Sequence, residues 1–236
     1  MGIVGHPWVV TILCMVGSFL ICGIPFGLII GKVFGHVDIR TAGSGNIGAT
    51  NALRVGGPLV GGLTLLCDVV KGVVCVTVSK FLIARIGLGA GVAVVAPGSG
   101  NEVMVSLVAL SCICGHVFSP YLKFHGGKGI AAGVGVLLAL YPPLGLVSIA
   151  GFAVVVALTR YVSLASITGA VLAPISAFVL LPEASLAYKL LVVAMAALVI
   201  WAHRENIKRL VNGTESKLSF SARAGKGEDA DESSNS

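Results

Sequence analysis

Long stretches without charge constrain the fold of this chain more than any other feature. Residues 8–31 contain no charged side chain, and a helix of that length crosses the ~30 Å hydrocarbon core of a bilayer. Similar apolar stretches follow at residues 57–79, 103–122, 129–159, 162–181 and 183–202. Only 11% of the residues are charged, against about a quarter in soluble domains, so lipid is the expected solvent for most of the surface.

Residues 129–159 decide how many times the chain crosses the bilayer. This stretch carries no charge and would extend about 46 Å as one helix, which is too long for a single crossing. Pro142 and Pro143 lie near its middle, and proline interrupts the interior of a helix. We therefore predict a hairpin of two short helices here and, for the whole chain, an all-α bundle of seven transmembrane helices.

The distribution of lysine and arginine supports this hairpin. Seven crossings place the N-terminus outside and the C-terminus in the cytoplasm, which leaves three basic residues outside and 12 inside. A single crossing at 129–159 leaves nine outside and six inside, contrary to the usual excess of Lys and Arg in cytoplasmic loops. The 12 cytoplasmic residues are Lys32, Arg40, Arg54, Lys123, Lys128, Arg160, Arg204, Lys208, Arg209, Lys217, Arg223 and Lys226.

The remaining segments carry simpler expectations. Residues 1–218 form the membrane domain, and residues 219–236, polar and acidic without periodicity, are expected to be a disordered cytoplasmic tail. The apolar, Gly-rich segment 87–100 is either a loop or a re-entrant segment. The six cysteines lie within or beside apolar runs without C-x-x-C spacing, so we expect no disulfide and no metal site. The basic residues alternate with apolar runs, which argues against a nucleic-acid partner.

The predicted topology gathers four polar segments on the cytoplasmic face. The first, residues 40–54, interleaves glycines with hydroxyl and amide side chains and ends in an arginine, whose guanidinium suits bidentate contact with phosphate. Glycine lets the backbone approach a ligand closely, and the polar side chains supply directed donors. The candidate ligand contacts of this segment are Gly43, Ser44, Gly45, Asn46, Thr50, Asn51 and Arg54.

The other three segments, residues 123–129, 159–163 and 203–215, also offer donors to an anion. A Gly-rich turn around Lys128 precedes an apolar helix, and backbone N–H groups at a helix N-terminus bind anions. His203 and Asn206 are three residues apart and therefore share one face of a helix. The candidate contacts of these segments are Gly126, Gly127, Lys128, Gly129, Ser163, His203 and Asn206.

Polar residues inside the apolar stretches have two interpretations each. Asp68 and Lys71 share a helix face, so they either neutralise each other and fix packing, which we favour, or relay a proton or substrate. His116 is either a ligand contact or a packed structural residue. The polar segments together predict a cytoplasm-facing site, open laterally to lipid, for one or two phosphorylated small molecules. An organophosphate transporter, with a site near mid-membrane, and a structural scaffold are the alternatives.

These segments, taken in order, resemble the bacterial acyl-phosphate:glycerol-3-phosphate acyltransferases of the PlsY type. The resemblance runs from about residue 23 to residue 217, and His125 and Ala132 depart from the residues common in that family. It rests on six motifs in register, which are residues 44–54, residues 68–72, Gly115-His116 with Pro120, residues 123–129, residues 159–163 and residues 203–215.

The resemblance implies a seven-helix enzyme of the bacterial inner membrane, with its active site facing the cytoplasm and no metal or nucleotide cofactor. It implies transfer of a fatty acyl group from acyl phosphate to the 1-hydroxyl of glycerol 3-phosphate, giving lysophosphatidic acid and phosphate. Membrane lipid and an acyl-phosphate-forming enzyme are the expected partners. Ser44, Lys128, His203 and Asn206 would be catalytic, with His203 an orienting donor or acid/base group; alternatively, a substrate phosphate itself takes the hydroxyl proton. The other candidate contacts, with His116, would bind substrate.

Overall fold

The computed structural model describes residues 5–218, and in that range the chain is helical without a β-strand. The expected disordered tail, residues 219–236, lies outside the described residues. The α-helices of the described range are α1 (Pro7–Gly23), α2 (Phe26–Phe34), α3 (Ala49–Leu82), α4 (Glu102–Val117), α5 (Ile130–Leu140), α6 (Pro142–Thr159), α7 (Val162–Leu180), α8 (Leu186–Ala202) and α9 (Arg204–Val211).

The helices confirm an all-helical membrane protein but not a definite number of crossings. Five segments are long and apolar enough to span a bilayer, namely Pro7–Phe34, Ala49–Gly87, Glu102–Leu122, Pro142–Thr159 and Val162–Leu180. A sixth span results if α8 and α9, bent by 59° at their junction, are taken together. α5 is apolar but has only 11 residues, so the seventh crossing stays a prediction.

The predicted break at the two prolines is confirmed. α5 ends at Leu140, Tyr141 is extended, and α6 begins at Pro142. Proline is tolerated at this first position because an N–H there would have no acceptor within the helix. Lys80 donates hydrogen bonds to the carbonyls of Ala139 and Leu140 at 2.5 and 2.9 Å. These bonds supply donors to two carbonyls in the last turn of α5, which lack partners within the helix. The polypeptide therefore turns where the sequence indicated that it would.

Contacts between the helices show their relative directions. Ser111 in α4 donates to the carbonyl of Met15 in α1 at 2.7 Å, and Pro120, just beyond α4, packs at Gly23, so α1 and α4 run parallel. Gly135 lies against Val69, and Lys80 reaches the end of α5, so α3 and α5 also run parallel. Glycines permit these close approaches, as is typical where packing rather than the hydrophobic effect joins helices in lipid.

The same kind of contact makes α5 and α6 an antiparallel hairpin. Leu138 packs against Gly145 beside the turn, while Ile130, at the far end of α5, and Phe152, past the middle of α6, line one cavity. α6 and α7 are antiparallel as well, because only residues 160 and 161 separate them and Gly169 packs on Ser148. The loops 39–48 and 118–129, the 159–162 turn and the α8–α9 junction consequently lie at the same end of the bundle.

Two irregular regions shape the bundle ends. Gly57 has φ 82° and ψ −178°, a conformation that favours glycine, and it separates residues 49–56 from the rest of α3 as a short arm. At the opposite end, a π-helical turn at Ile83–Gly87 continues α3, and residues 88–100 form a loop with a 3₁₀ turn at Val92–Val95 that buries Val95. Of the two alternatives that the sequence leaves open for this segment, the structure shows the loop and not a re-entrant helix.

Candidate active site

Asn51 organises the first Gly-rich loop. Its amide oxygen accepts a hydrogen bond from the backbone N–H of Ser44 at 2.8 Å, and its amide nitrogen donates to the carbonyls of Ile39 and Asn46 at 2.6 and 2.9 Å. Gly43 lies so close to this amide that a side chain there would collide with it. Asn51 lines the cavity described below, but its hydrogen-bonding groups hold the loop, so it positions Ser44 rather than offering free donors to a ligand.

Gly126 and Gly127 also act through packing. Their backbone N–H groups donate to the carbonyls of Val117 and His116 at 2.9 and 3.0 Å, and a side chain on either glycine would collide with His116. These amides pair with backbone carbonyls in the structure, and the expectation that Gly126 and Gly127 contact a ligand stays a prediction. Gly45 occupies a turn with φ 66° and does not line the cavity, and its contact with a ligand stays a prediction.

Lys128 joins two distant segments through a hydrogen-bonded network. Its ammonium donates to Oδ1 of Asn206 at 2.5 Å, and Nδ2 of Asn206 donates to one oxygen of Glu215 at 2.8 Å. Nε of Arg209 donates to the other oxygen of Glu215 at 2.7 Å. Asn206 thus aligns Lys128 with its oxygen and is itself fixed by Glu215, while the remaining hydrogens of the Lys128 ammonium have no acceptor within residues 5–218.

The surroundings of Lys128 bring its pKa close to the physiological range. Burial, followed by the positive charge of Arg209, lowers the pKa of Lys128 to about 8. Burial raises the pKa of Glu215, but the hydrogen bonds from Asn206 and Arg209 outweigh it and keep the pKa below its usual value. At neutral pH the cavity wall therefore carries a protonated lysine beside an arginine whose charge is only partly neutralised.

His203 presents an unprotonated ring nitrogen. The side chain is buried, and Nδ1 lies 2.8 Å from the carbonyl of Val199. A carbonyl can only accept, so Nδ1 carries the hydrogen and Nε2 keeps its lone pair. Burial, partly offset by this hydrogen bond, lowers the pKa of His203 to about 4, which leaves the ring neutral at physiological pH. The arrangement suits a general base more than a donor.

Asp68, Lys71 and His116 form a buried polar group between α3 and α4. Lys71 lies 2.7 Å from Oδ1 of Asp68 and also donates to the carbonyl of Ile24 at 3.1 Å. Nδ1 of His116 is 3.8 Å from the same aspartate oxygen, which is too long for a hydrogen bond. Asp68 and His116 reach the cavity floor, but Lys71 does not line it. The Asp68–Lys71 pair matches the structural interpretation, because it ties α3 to the end of α1.

One polar cavity of about 660 Å³ brings the segments together. Ser163, only 7% exposed, lines it with a hydroxyl that has no hydrogen-bond partner within residues 5–218. The predicted contacts that line the cavity are Gly43, Ser44, Asn46, Thr50, Asn51, Arg54, His116, Lys128, Gly129, Ser163, His203 and Asn206. The cavity also contains Arg209, Glu215, Asp68 and Ser166, which the sequence did not single out as ligand contacts.

An apolar cavity of about 410 Å³ continues from the polar one. It runs between α5, α6, α7 and α8, and both cavities share lining residues such as Gly129, Phe152 and Ser166. Side chains such as Leu137, Ala170 and Met195 supply its wall. The combined shape fits a molecule with an anionic head and a long apolar tail.

Comparison with known proteins shows which family this chain is similar to. The family model for glycerol-3-phosphate acyltransferase matches residues 12–213. Glycerol-3-phosphate acyltransferases of Bartonella henselae and Methylobacillus flagellatus are 42% and 39% identical over 201 residues, covering 85% of this chain and 88% and 93% of theirs.

Two solved structures share the fold over most of the chain. The crystal structure of PlsY, an integral membrane glycerol 3-phosphate acyltransferase, in its glycerol 3-phosphate form has a TM-score of 0.75 at 31% identity, covering 89% of this chain and 96% of that one. The lysophosphatidic acid form of the same enzyme has a TM-score of 0.74 at 31% identity and covers 89% and 95%.

Proposed function

The chain belongs to the glycerol-3-phosphate acyltransferase family, and from this premise we propose that it acylates the 1-hydroxyl of glycerol 3-phosphate with acyl phosphate as the donor. The products are lysophosphatidic acid and phosphate, and the reaction is the first acylation of phospholipid synthesis. The observation that carries the proposal is the cavity itself, where three cationic side chains and a neutral histidine stand next to an apolar channel.

The cations match the charge of the two reactants. Arg54, Lys128 and Arg209 line one cavity, while Glu215 is the acid that neutralises part of their charge. Two phosphorylated molecules repel each other in water, and fixed cations in a partly dry site offset that repulsion. The hydroxyls of Ser44, Thr50 and Ser163 then supply neutral donors to phosphate or glycerol oxygens.

His203 is the group that we assign to proton transfer. Its Nε2 lone pair accepts the proton of the 1-hydroxyl as that oxygen attacks the acyl carbonyl carbon. Two bound phosphates raise the pKa of His203 above its value in the empty cavity, because nearby negative charge favours imidazolium. The C–O bond to phosphate breaks, phosphate leaves with the electron pair, and His203 returns the proton to it.

Lys128 is positioned to stabilise the transition state. Its Asn206 hydrogen bond fixes the ammonium, and its free N–H groups can meet the carbonyl oxygen as negative charge develops there. A donor of this kind contributes about 3 kcal/mol. Acyl phosphate is already an activated mixed anhydride, so neither a covalent enzyme intermediate nor a metal or nucleotide cofactor is needed for the proposed step.

The helix directions are consistent with seven crossings, and the distribution of basic residues then favours a cytoplasmic site in the bacterial inner membrane. α1 and α4 run parallel, α3 and α5 run parallel, and α5, α6 and α7 alternate in direction, as seven crossings require. With the N-terminus outside and the C-terminus inside, every segment that forms the polar cavity faces the cytoplasm. An acyl-phosphate-forming enzyme is the expected functional partner, because such an anhydride is best used close to where it is made.

An assay in detergent tests this function. The purified protein is given glycerol 3-phosphate with acyl phosphate, acyl-coenzyme A or acyl-carrier protein, and lysophosphatidic acid and phosphate are measured. We expect one phosphate per lysophosphatidic acid with acyl phosphate and no product with the other donors. Substrate binding without product would instead support an organophosphate transporter.

Two histidine variants test whether His203 takes part in the reaction. His203→Ala is expected to reduce turnover at least 100-fold. His125→Ala, which changes an exposed histidine outside the cavity, is expected to stay within about twofold of the unaltered protein. Equal turnover in the two variants would remove His203 from the mechanism.

A further inference from the structure

Three cysteines from three helices meet inside the bundle. Cys22 in α1, Cys75 in α3 and Cys112 in α4 are 0%, 4% and 0% exposed, and their sulfur atoms all lie within 4.8 Å of one another. The sulfur atoms of Cys22 and Cys75 are 3.8 Å apart. From the sequence we expect no metal site, because these cysteines are separated along the chain and lie on different helices, so their spacing gives no signal.

The spacing of the sulfur atoms suits a trigonal metal centre. A metal bound by three sulfurs at about 2.3 Å in one plane holds those sulfurs about 4.0 Å apart. The Cys22–Cys75 separation of 3.8 Å is close to that value, and the upper limit of 4.8 Å requires a shift of less than an ångström. Rotation about a single side-chain bond changes a sulfur position by more than this.

The ligand set selects the kind of metal. Within the described residues the group contains three thiols and no histidine or carboxylate, whereas zinc in proteins takes four ligands. Soft sulfur ligands without nitrogen or oxygen partners favour monovalent copper and its analogue silver. We propose that Cys22, Cys75 and Cys112 form a binding site for a soft monovalent metal ion, Cu(I) or Ag(I).

Charge balance agrees with a monovalent ion. An uncompensated charge in an apolar interior is costly, so the metal complex should be close to neutral. One M⁺ ion that displaces one thiol proton leaves one thiolate and two thiols around the metal, and the site stays neutral. No electron is transferred in this step, and the released proton goes to solvent.

Bound metal would act on the structure rather than on the chemistry. The three cysteines do not line either cavity, but Cys22 directs its sulfur to the backbone carbonyl of Lys71 at 3.9 Å. An ion at this point joins α1, α3 and α4, two of which carry Asp68 and His116 to the cavity floor. We expect metal to raise the unfolding temperature without being required for acyl transfer.

Chelator competition tests the site in the detergent-solubilised protein under anaerobic, reducing conditions. The protein is equilibrated with Cu(I) and then challenged with bicinchoninate, a Cu(I) chelator. We expect one copper per chain to be retained, with X-ray absorption showing only sulfur neighbours at about 2.3 Å. Cys112→Ala should weaken retention at least tenfold, and the matched control on the same helix, Cys114→Ala, should not.

Two further readouts keep the outcome decisive. Acyl transfer by the metal-free Cys112→Ala protein should stay within about twofold of the unaltered chain, which shows that the variant folds. If it does not fold, X-ray absorption on the unaltered protein still decides the proposal. The proposal is overturned if bicinchoninate removes all copper from the unaltered protein, if oxygen or nitrogen neighbours appear, or if Cys112→Ala and Cys114→Ala bind alike.

Discussion

Replacement of Lys128 by arginine should abolish the alkaline decline of kcat/KM. In the free enzyme the pKa of Lys128 is about 8, because burial and the charge of Arg209 disfavour the ammonium. Only the protonated form can bind phosphate and stabilise a developing oxyanion. The pH dependence of kcat/KM reports the free enzyme, so this parameter should fall about tenfold for each pH unit above that value. Arginine stays protonated throughout the range.

The size of the decline in kcat/KM at pH 9 should differ clearly between the unaltered enzyme and Lys128→Arg. At pH 9 about one tenth of the Lys128 side chains retain their proton, so the unaltered enzyme should show about a tenth of its plateau kcat/KM. Lys128→Arg should have a lower plateau, because a planar guanidinium does not reproduce the contact with Asn206, but its profile should be flat to pH 9 or above. Bound phosphates raise the pKa of Lys128, so the decline in kcat should begin at higher pH than the decline in kcat/KM.

The assay measures lysophosphatidic acid at low glycerol 3-phosphate between pH 6.5 and 10, corrected for spontaneous hydrolysis of acyl phosphate. Lys123→Arg is the matched control, since Lys123 lies in the same loop, is exposed and does not line the cavity. This control should keep the decline of the unaltered enzyme. A decline that persists unchanged in Lys128→Arg, or none in the unaltered enzyme, would refute the assignment of Lys128.

Three further variants probe other parts of the cavity. His203→Asn should lower kcat by 10²–10⁴ while calorimetry shows an unchanged Kd for glycerol 3-phosphate, because only proton transfer is lost; a weaker Kd with normal kcat would contradict this. Glu215→Gln should lower kcat/KM at least tenfold by leaving Arg209 and Asn206 poorly held, and an unchanged value would show that the pairing is incidental. Ala170→Phe, which narrows the apolar cavity, should reduce kcat/KM for long acyl phosphates more than for short ones, and an equal loss would place the chain elsewhere.

The sequence was most informative where a single residue acts locally. Pro142 interrupts the helix wherever the rest of the chain lies, and the lack of charge marks lipid-facing helices regardless of packing. Positive-inside counting then gave the common face on which the polar segments meet. The sequence singles out Lys128 because a Gly-rich turn precedes an apolar helix, and it singles out His203 and Asn206 because their spacing places them on one helix face; their contacts with a ligand stay predictions.

The sequence was least informative where two distant segments share hydrogen bonds. The sequence predicts an anion-binding turn with free N–H groups at Gly126 and Gly127. In the structure these N–H groups pair with carbonyls at the end of α4. The sequence places Arg209 among the cytoplasmic basic residues and Glu215 at the end of the segment 203–215, and only the fold shows that the two side chains form an ion pair. A sequence pattern records neighbours along the chain, whereas these roles depend on neighbours in space.

The reacting geometry offers the most direct test of the proposed mechanism. A structure with glycerol 3-phosphate and a non-transferable acyl phosphonate should place the 1-hydroxyl oxygen about 2.6–3.2 Å from Nε2 of His203. Its acyl chain should lie between α5, α6, α7 and α8, with the phosphonate against Lys128. A 1-hydroxyl pointing away from His203, or an acyl chain outside this channel, would contradict the account.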